Sequence, residues 1–180
     1  GSIDAIAAGA LYKEADLVII GLYPQATVDW LLENMPKMKK GCVIVDMVGV
    51  KQFMVDHLEQ AALDAGVHYV GGHPMAGSEK SGFMNSKAHL IENAYYILTP
   101  TPQVAEEKVQ TYEKFVESLK ALPVILDYQL HDQITGTISH LPHIIASSLV
   151  NFVKTHDTHD EMMKNLNNTK ALYEAGAVSR

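Results

Sequence analysis

The chain has 180 residues, of which 47% are hydrophobic and 19% are charged, and its formal net charge is −7. This composition is typical of a globular protein with enough apolar material for one domain and part of a second. The acidic excess argues against nucleic acid as a partner, because phosphates need a basic surface, but it leaves a small anionic substrate open.

The single cysteine, Cys42, excludes an internal disulfide and predicts a reducing compartment. It lies at the start of an apolar strand, where it is interpreted as a buried core residue. No apolar run approaches the ~18 residues that a membrane span needs, and the N-terminus shows no signal peptide. We therefore expect a soluble cytoplasmic protein with no membrane partner.

Strands and helices alternate in the first part of the chain. Continuous apolar runs predict strands buried on both faces, and the segments between them have helical periodicity. In chain order these elements are strand 16–21, helix 25–35, strand 43–46, helix 51–65 and strand 68–71. The alternation predicts a partial Rossmann-like parallel sheet, which binds ligands beyond the carboxyl ends of its strands. Residues 21–24, 46–51 and 71–82 would form that edge.

The second part of the chain changes from strands to helices. Strands are predicted at 94–99 and 123–126, with a helix between them that Pro102 would open. Residues 131–153 have helical periodicity, and Pro142 predicts a kink or break there. The apolar stripe of this helix is Ile134, Ile138, Leu141, Ile145 and Leu149. A change of composition near residue 127 predicts an α/β domain at 1–127 and the start of an all-α domain at 128–180.

Two groups of residues are candidates for chemistry. The loop from His73 to Gly82 combines glycines, serines and ionisable side chains of both signs, so it can approach a ligand closely. The alternative is a solvated surface loop. On the later helix, His140 and His143 project from one face, with Gly136 and Ser147 continuing it, and suit the lining of a cleft. The alternative there is a pair of structural histidines.

The predicted sheet edge supplies further candidates. Asp46 ends a strand and could face a nucleotide or cap the next helix, whereas Lys51 could contact phosphate or be a surface charge. No metal is predicted, because zinc needs three or four convergent ligands. The polar segment 156–160 is interpreted as a solvated turn.

Two motifs together resemble the prephenate dehydrogenase family. Residues 72–82 match the loop G-H-P-M-A-G-(S/T)-E-K-S-G in full. His131, Asp132 and the run Ser139-His140-Leu141-Pro142-His143 match H-D-x(6)-S-H-L-P-H. The resemblance extends from about residue 15 to about residue 153 and includes the order of the intervening elements.

The resemblance implies an oxidative decarboxylation of prephenate to 4-hydroxyphenylpyruvate in tyrosine biosynthesis, with hydride transfer to NAD or NADP. His73 would accept the proton of the substrate hydroxyl. A homodimer would be expected. The residues implied in substrate binding are Ser78, Glu79, Ser139, His140 and His143. Those implied on the cofactor side are Leu22, Tyr23, Pro24, Asp46, Gly49 and Lys51.

The chain also departs from the family pattern. Residues 1–15 lack the G-x-G-x-x-G fingerprint, so a truncated nucleotide-binding domain is expected. Gly49 stands where many members have a serine. One alternative is therefore a catalytically silent module that binds no dinucleotide, and another is a different Rossmann dehydrogenase. The sequence does not distinguish prephenate from arogenate as the substrate, or NAD from NADP as the cofactor.

Overall fold

The computed structural model describes residues 11–77, 83–87 and 89–156. Its regular elements follow the predicted alternation closely. In chain order they are β1 (Leu17–Ile20), α1 (Pro24–Asn34), β2 (Val43–Asp46), α2 (Gln52–Ala65), β3 (His68–Pro74), β4 (Tyr95–Pro100), α3 (Glu106–Ser118), β5 (Leu122–Ile125), α4 (Tyr128–Thr135), a π-helical turn (Gly136–His140) and α5 (Leu141–His156).

The five strands form one sheet in the order β1-β2-β3-β4-β5. The predicted Rossmann-like, mostly parallel sheet is confirmed, but β4 runs antiparallel to β3. The three strands for which the alternation predicted parallel pairing, β1 to β3, do pair in parallel, and no direction was predicted for β4. A parallel crossover needs a long connection, usually a helix. The described residues between β3 and β4 contain only a three-residue 3-10 helix and turns.

Helices cover both faces of the sheet. On one face α1 and α2 bury a cluster that includes Val18, Ile44, Leu31, Leu58 and Tyr69. On the opposite face α3 packs its buried residues against a second cluster from the central strands. The members of this second cluster are Val43, Val45, Val70, Tyr96, Leu98, Tyr112, Val116 and Ala121. Burial of apolar strand residues on both faces explains why β2 has no polar alternation.

The helix ends follow local chemistry. Gly66 ends α2 with φ of 68°, the left-handed conformation that glycine adopts without strain, as predicted. The prediction for Pro102 was wrong, because α3 begins at Glu106 after an extended Ala105. Glu106 and Glu107 occupy the first turn of α3, where the helix dipole favours negative charge.

The chain divides into two compact units, Gly1–Gln133 and Ile134–Arg180. Within the second unit the helix is interrupted at the predicted place. Pro142 has no N–H to donate to the residue four before it, and the N–H of Leu141 donates to the carbonyl of Gly136, five residues earlier. No helix in the described ranges combines the length and hydropathy needed to cross a bilayer.

Candidate active site

His73 lies where β3 extends past the carboxyl end of β2. The two strands pair only as far as Val45 with Val70, whereas β3 continues to Pro74 by pairing with β4. His73 is therefore on a strand, not in the loop that was predicted to begin there. At this position β3 pairs only with β4, where His73 is opposite Ile97, and its side chain is half-buried. A side chain mounted this way has a defined position at the edge where such sheets bind ligands.

The imidazole of His73 contacts a second histidine from the start of the helical region. Its Nδ1 lies 2.8 Å from Nε2 of His131 on α4, and the rings meet edge to face with centroids 5.0 Å apart. Its Nε2 faces the loop after β2, because a Cβ built on Gly49 would lie 3.7 Å from that atom. This is ordinary van der Waals distance, so a Cβ at this position would touch the ring without displacing it.

Asp132 links His131 to the first turn of α2. Its Oδ1 accepts hydrogen bonds from the Lys51 amide and from Nδ1 of His131, both at 2.8 Å. Its Oδ2 accepts from the Gln52 amide at 2.8 Å. Partial burial opposes ionisation of Asp132, but these three hydrogen bonds outweigh it and hold the pKa of the carboxyl below its ordinary value. The carboxylate thus satisfies two helix N–H groups that have no partner within the helix.

A fully buried ion pair supports the strand beneath His73. Both Lys51 and Asp46 have 0% side-chain exposure, and Nζ of Lys51 lies 2.5 Å from Oδ1 of Asp46. The same ammonium donates to the carbonyl of Gly72 at 2.6 Å, and the Tyr69 hydroxyl donates to Oδ2 of Asp46. Burial lowers the pKa of Lys51, against the opposing effect of Asp46. Burial and the neighbouring carboxylate raise the pKa of Tyr69 well above its ordinary value, which keeps it a neutral donor.

The two glycines before His73 make room for this network. A Cβ at Gly71 would lie 2.3 Å from Oγ1 of Thr99 and 2.9 Å from Cδ of Lys51. A Cβ at Gly72 would lie 2.6 Å from the backbone oxygen of Asp46. Any side chain at either position would push β3 away from β2 and β4. The glycines are thus required by the close approach of Lys51 and the neighbouring strands.

Burial changes the interpretation of two residues on the cofactor side. Asp46 and Lys51 were predicted as cofactor contacts, yet the structure places both side chains in the interior, bonded to each other. An ion removed from water is stable only when paired, and here each is the other's partner. Direct contact of either side chain with a nucleotide is incompatible with this burial. Any part they have in cofactor binding would be through the backbone they support.

The remaining cofactor candidates lie at the carboxyl end of β1. Leu22 and Pro24 flank Tyr23, whose side chain is 88% exposed and whose residue precedes the first turn of α1. An exposed strand-to-helix turn at this edge fits contact with part of a dinucleotide. The described residues do not include a glycine-rich turn that could cradle a pyrophosphate. These residues therefore fit contact with only one side of a dinucleotide. Residues 22–24 together with Gly49 would make that contact.

The predicted substrate residues fall into two groups. Ser78 and Glu79 lie outside the described residues. Ser139 and His140 belong to the π-helical turn and His143 to α5, and all three are exposed. The π-turn interrupts uniform helical spacing, so the predicted polar stripe from Gly136 to Ser147 does not run along one regular helix. A role for Ser139, His140 and His143 at the substrate stays a prediction.

His131 and Asp132 matched a motif in the sequence, but no chemical role was predicted for them. The contact of His131 with His73 spans 58 residues of chain, which no periodicity reveals. The available signal was the motif itself, since a histidine and an aspartate open it immediately before the helical region. Their arrangement offers a hydrogen-bonded series from a helix N-terminus through Asp132 and His131 to His73.

Comparison with known proteins finds two family models on this chain. One, described as the nucleotide-binding domain of prephenate dehydrogenase, matches residues 2–125. The other, described as the dimerization domain of prephenate dehydrogenase, matches residues 127–170.

Individual relatives agree with these matches. Prephenate dehydrogenase of Lactococcus lactis is 39% identical over 77% of this chain and 37% of the relative. That of Bacillus subtilis is 39% identical over 82% of this chain and 38% of the relative. The crystal structure of the Aquifex aeolicus enzyme with hydroxyphenyl propionate and NAD+ has a TM-score of 0.72 and 28% identity, covering 78% of this chain and 48% of that one. The chain thus spans well under two thirds of the length of these relatives.

Proposed function

The chain belongs to the prephenate dehydrogenase family, and we propose that it forms the substrate side of an NAD-dependent enzyme that oxidatively decarboxylates prephenate. The observation that carries the proposal is the position of His73. Its half-buried ring lies at the carboxyl edge of a mostly parallel sheet, with Nδ1 within hydrogen-bond distance of His131 and Nε2 toward Gly49. A related enzyme whose structure was solved holds NAD+ and hydroxyphenyl propionate.

His73 acts as the proton acceptor in this proposal. As the ring carbon of prephenate loses its hydride, the hydroxyl on that carbon transfers its proton to Nε2. Loss of the ring carboxylate as CO2 then makes the ring aromatic, and the proton returns to the phenol oxygen of 4-hydroxyphenylpyruvate. A positioned base of this kind contributes about 10²–10⁴-fold in rate. NAD+, when bound, supplies the hydride acceptor; NADP+ and the substrate arogenate are variants of the same chemistry.

The other predicted site residues enter the proposal through the resemblance of their motifs to the family. Ser78, Glu79, Ser139, His140 and His143 would bind the substrate carboxylates and ring. Leu22, Tyr23, Pro24 and Gly49 would border the nicotinamide side, with Asp46 and Lys51 supporting the backbone below. The single cysteine, which leaves no internal disulfide possible in these 180 residues, supports a cytoplasmic location.

The proposal is tested by assaying the full-length protein with prephenate and with arogenate, each combined with NAD+ and with NADP+. We expect reduced nicotinamide and CO2 in equal amounts, with 4-hydroxyphenylpyruvate as the product from prephenate. Equal amounts matter because hydride transfer without decarboxylation would indicate an ordinary alcohol dehydrogenase. Absence of turnover with all four combinations would contradict the proposal.

The second candidate is a silent module of the same family that binds no dinucleotide. The 180 residues contain no G-x-G-x-x-G sequence, so dinucleotide binding has to be measured on the full-length protein. A thermal-shift titration of the full-length protein with NAD+ and NADP+ separates the two candidates. Ligands that bind only the folded state raise the unfolding temperature, so stabilisation by either supports the dehydrogenase and none supports the silent module.

We also propose that α5 forms a homodimer interface. Its apolar side chains lie on the surface, with Leu149 59% and Phe152 61% exposed, and Ile144 and Ile145 are exposed beside them. Exposed apolar side chains grouped on one helix are typical of an interaction surface. The family model on this segment, described as a dimerization domain, supports a second copy as the partner.

Leu149→Glu should convert the dimer to monomer, because a buried charge without a partner opposes association. The control is Lys154→Glu, which changes an exposed polar position on the same helix. Sedimentation velocity of the full-length protein measures both. A Leu149→Glu protein as dimeric as the control would contradict this interface.

A further inference from the structure

We infer that His131 and Asp132 are positioning residues that hold His73 in the neutral tautomer with the proton on Nδ1 and the lone pair on Nε2. The inference rests on the proposed function, in which Nε2 of His73 is the proton acceptor. It adds two residues to which neither the motif nor the comparisons assign a role.

Asp132 determines which partner donates and which accepts in each hydrogen bond of the series. Both of its oxygens accept backbone N–H groups, Oδ1 from Lys51 and Oδ2 from Gln52. A backbone amide can only donate, so the carboxyl must accept at both oxygens. The N-terminal end of a helix also favours a negative charge. Asp132 is therefore a carboxylate with no proton to give to His131.

His131 must then donate to Asp132. Its Nδ1 lies 2.8 Å from Oδ1 of the carboxylate, so the proton of this pair is on Nδ1. A neutral imidazole with its proton on Nδ1 has a lone pair on Nε2. The side chain of His131 has no exposure to solvent, so the ring cannot turn over without breaking both contacts.

The hydrogen bond with His131 determines which ring nitrogen of His73 carries the proton. The Nε2 lone pair of His131 is 2.8 Å from Nδ1 of His73, so Nδ1 of His73 carries the shared proton. Nε2 of His73 is left with the lone pair, and this atom faces Gly49. When Nε2 accepts a proton, Nδ1 still donates to His131, and Asp132 supplies the compensating negative charge. No hydrogen bond of the series has to reverse during the reaction, which is the benefit of a preorganised site.

A merely structural role is the competing explanation. Asp132 would then only fasten α4 to the N-terminus of α2, and His131 would only fill space beside His73. Substitutions would lower stability but would leave both the tautomer of His73 and the turnover of folded protein unchanged. The two explanations therefore differ in a spectroscopic signature and in kcat.

The test compares His131→Phe with His131→Gln. Phenylalanine keeps an aromatic ring but offers His73 no acceptor. The side-chain oxygen of glutamine can take the place of Nε2 and accept from Nδ1 of His73. Nitrogen-15 NMR of the histidine rings in the full-length protein, at about pH 8 and thus above the ordinary histidine pKa of ~6.5, gives the tautomer directly. The signal of His73 is assigned from its absence in His73→Asn.

We expect the Nδ1-protonated tautomer of His73 in the unsubstituted protein and in His131→Gln, and its loss in His131→Phe. In the same proteins, kcat should fall on the order of 10²-fold for His131→Phe, because a misdirected base loses that much. For His131→Gln, kcat should fall several-fold less, and KM should change little in either.

Three results would overturn the inference. These are an Nε2-protonated His73 in the unsubstituted protein, an unchanged tautomer in His131→Phe, or undiminished kcat in that variant. Failure of the proposed function has a different signature. An unsubstituted protein with the expected tautomer but no activity on prephenate or arogenate contradicts the dehydrogenase and leaves the positioning of His73 supported.

Discussion

Replacement of His73 by asparagine is expected to lower kcat of the full-length protein by about 10²–10⁴-fold. An amide cannot accept a proton near neutral pH, so the base function is lost. The amide nitrogen can still donate to Nε2 of His131, which lies 2.8 Å from the original Nδ1. Asparagine is also smaller than histidine and meets no new contact. The fold should therefore survive, with KM for prephenate changing much less than kcat.

The control for this variant is His57→Asn. His57 is an exposed histidine on α2 whose Nδ1 lies 2.7 Å from the carbonyl of Phe53, so its replacement tests the chemical change without touching the site. Stopped assays of product and thermal unfolding are measured on both proteins. Turnover of His73→Asn close to that of the control would remove His73 from the base role.

Most of the fold could be predicted because its signals are local. The strand at 43–46 was predicted with the bounds of β2, since a short apolar run bounded by glycine and polar residues leaves little freedom. The left-handed end of α2 at Gly66 was likewise predicted from one residue type. The direction of β4 was not predicted, because a run of apolar residues identifies a strand without giving its orientation. Orientation depends on the connection before it, which here carries no crossover helix among the described residues.

The position of the candidate residue His73 on the sheet could be predicted, but the contacts around it could not. His73 was assigned to the correct edge of the sheet from a motif that follows a strand. Lys51 was expected at the surface or on a phosphate, because a lysine at the start of a helix is usually solvated. Its inward direction depends on Gly71, which leaves space for the side chain, and on Asp46 at the end of the neighbouring strand. Such a pairing is a property of tertiary packing, so it is visible only in the structure.

The buried pair makes a second prediction with a large effect, this time on stability. Lys51→Met keeps the aliphatic stem and the backbone amide that bonds Asp132, but it removes the ammonium between Asp46 and the Gly72 carbonyl. Removing one member of a buried ion pair typically costs about 3–5 kcal/mol, because the other charge stays in the interior without compensation. We expect a loss of this size in the free energy of unfolding, measured by urea denaturation.

Two further variants isolate the cause. Lys39→Met removes the ammonium of an exposed ion pair with Asp16, and its unfolding midpoint should be unchanged within error. Asp46→Asn combined with Lys51→Met removes both charges of this buried pair, and the Tyr69 hydroxyl can still donate to the amide oxygen, so the double variant should recover part of the loss. A double variant less stable than Lys51→Met would show that the cost is in packing, not charge. If it recovers, the strand that carries His73 is held by an ion pair whose two members are stable in the interior only together.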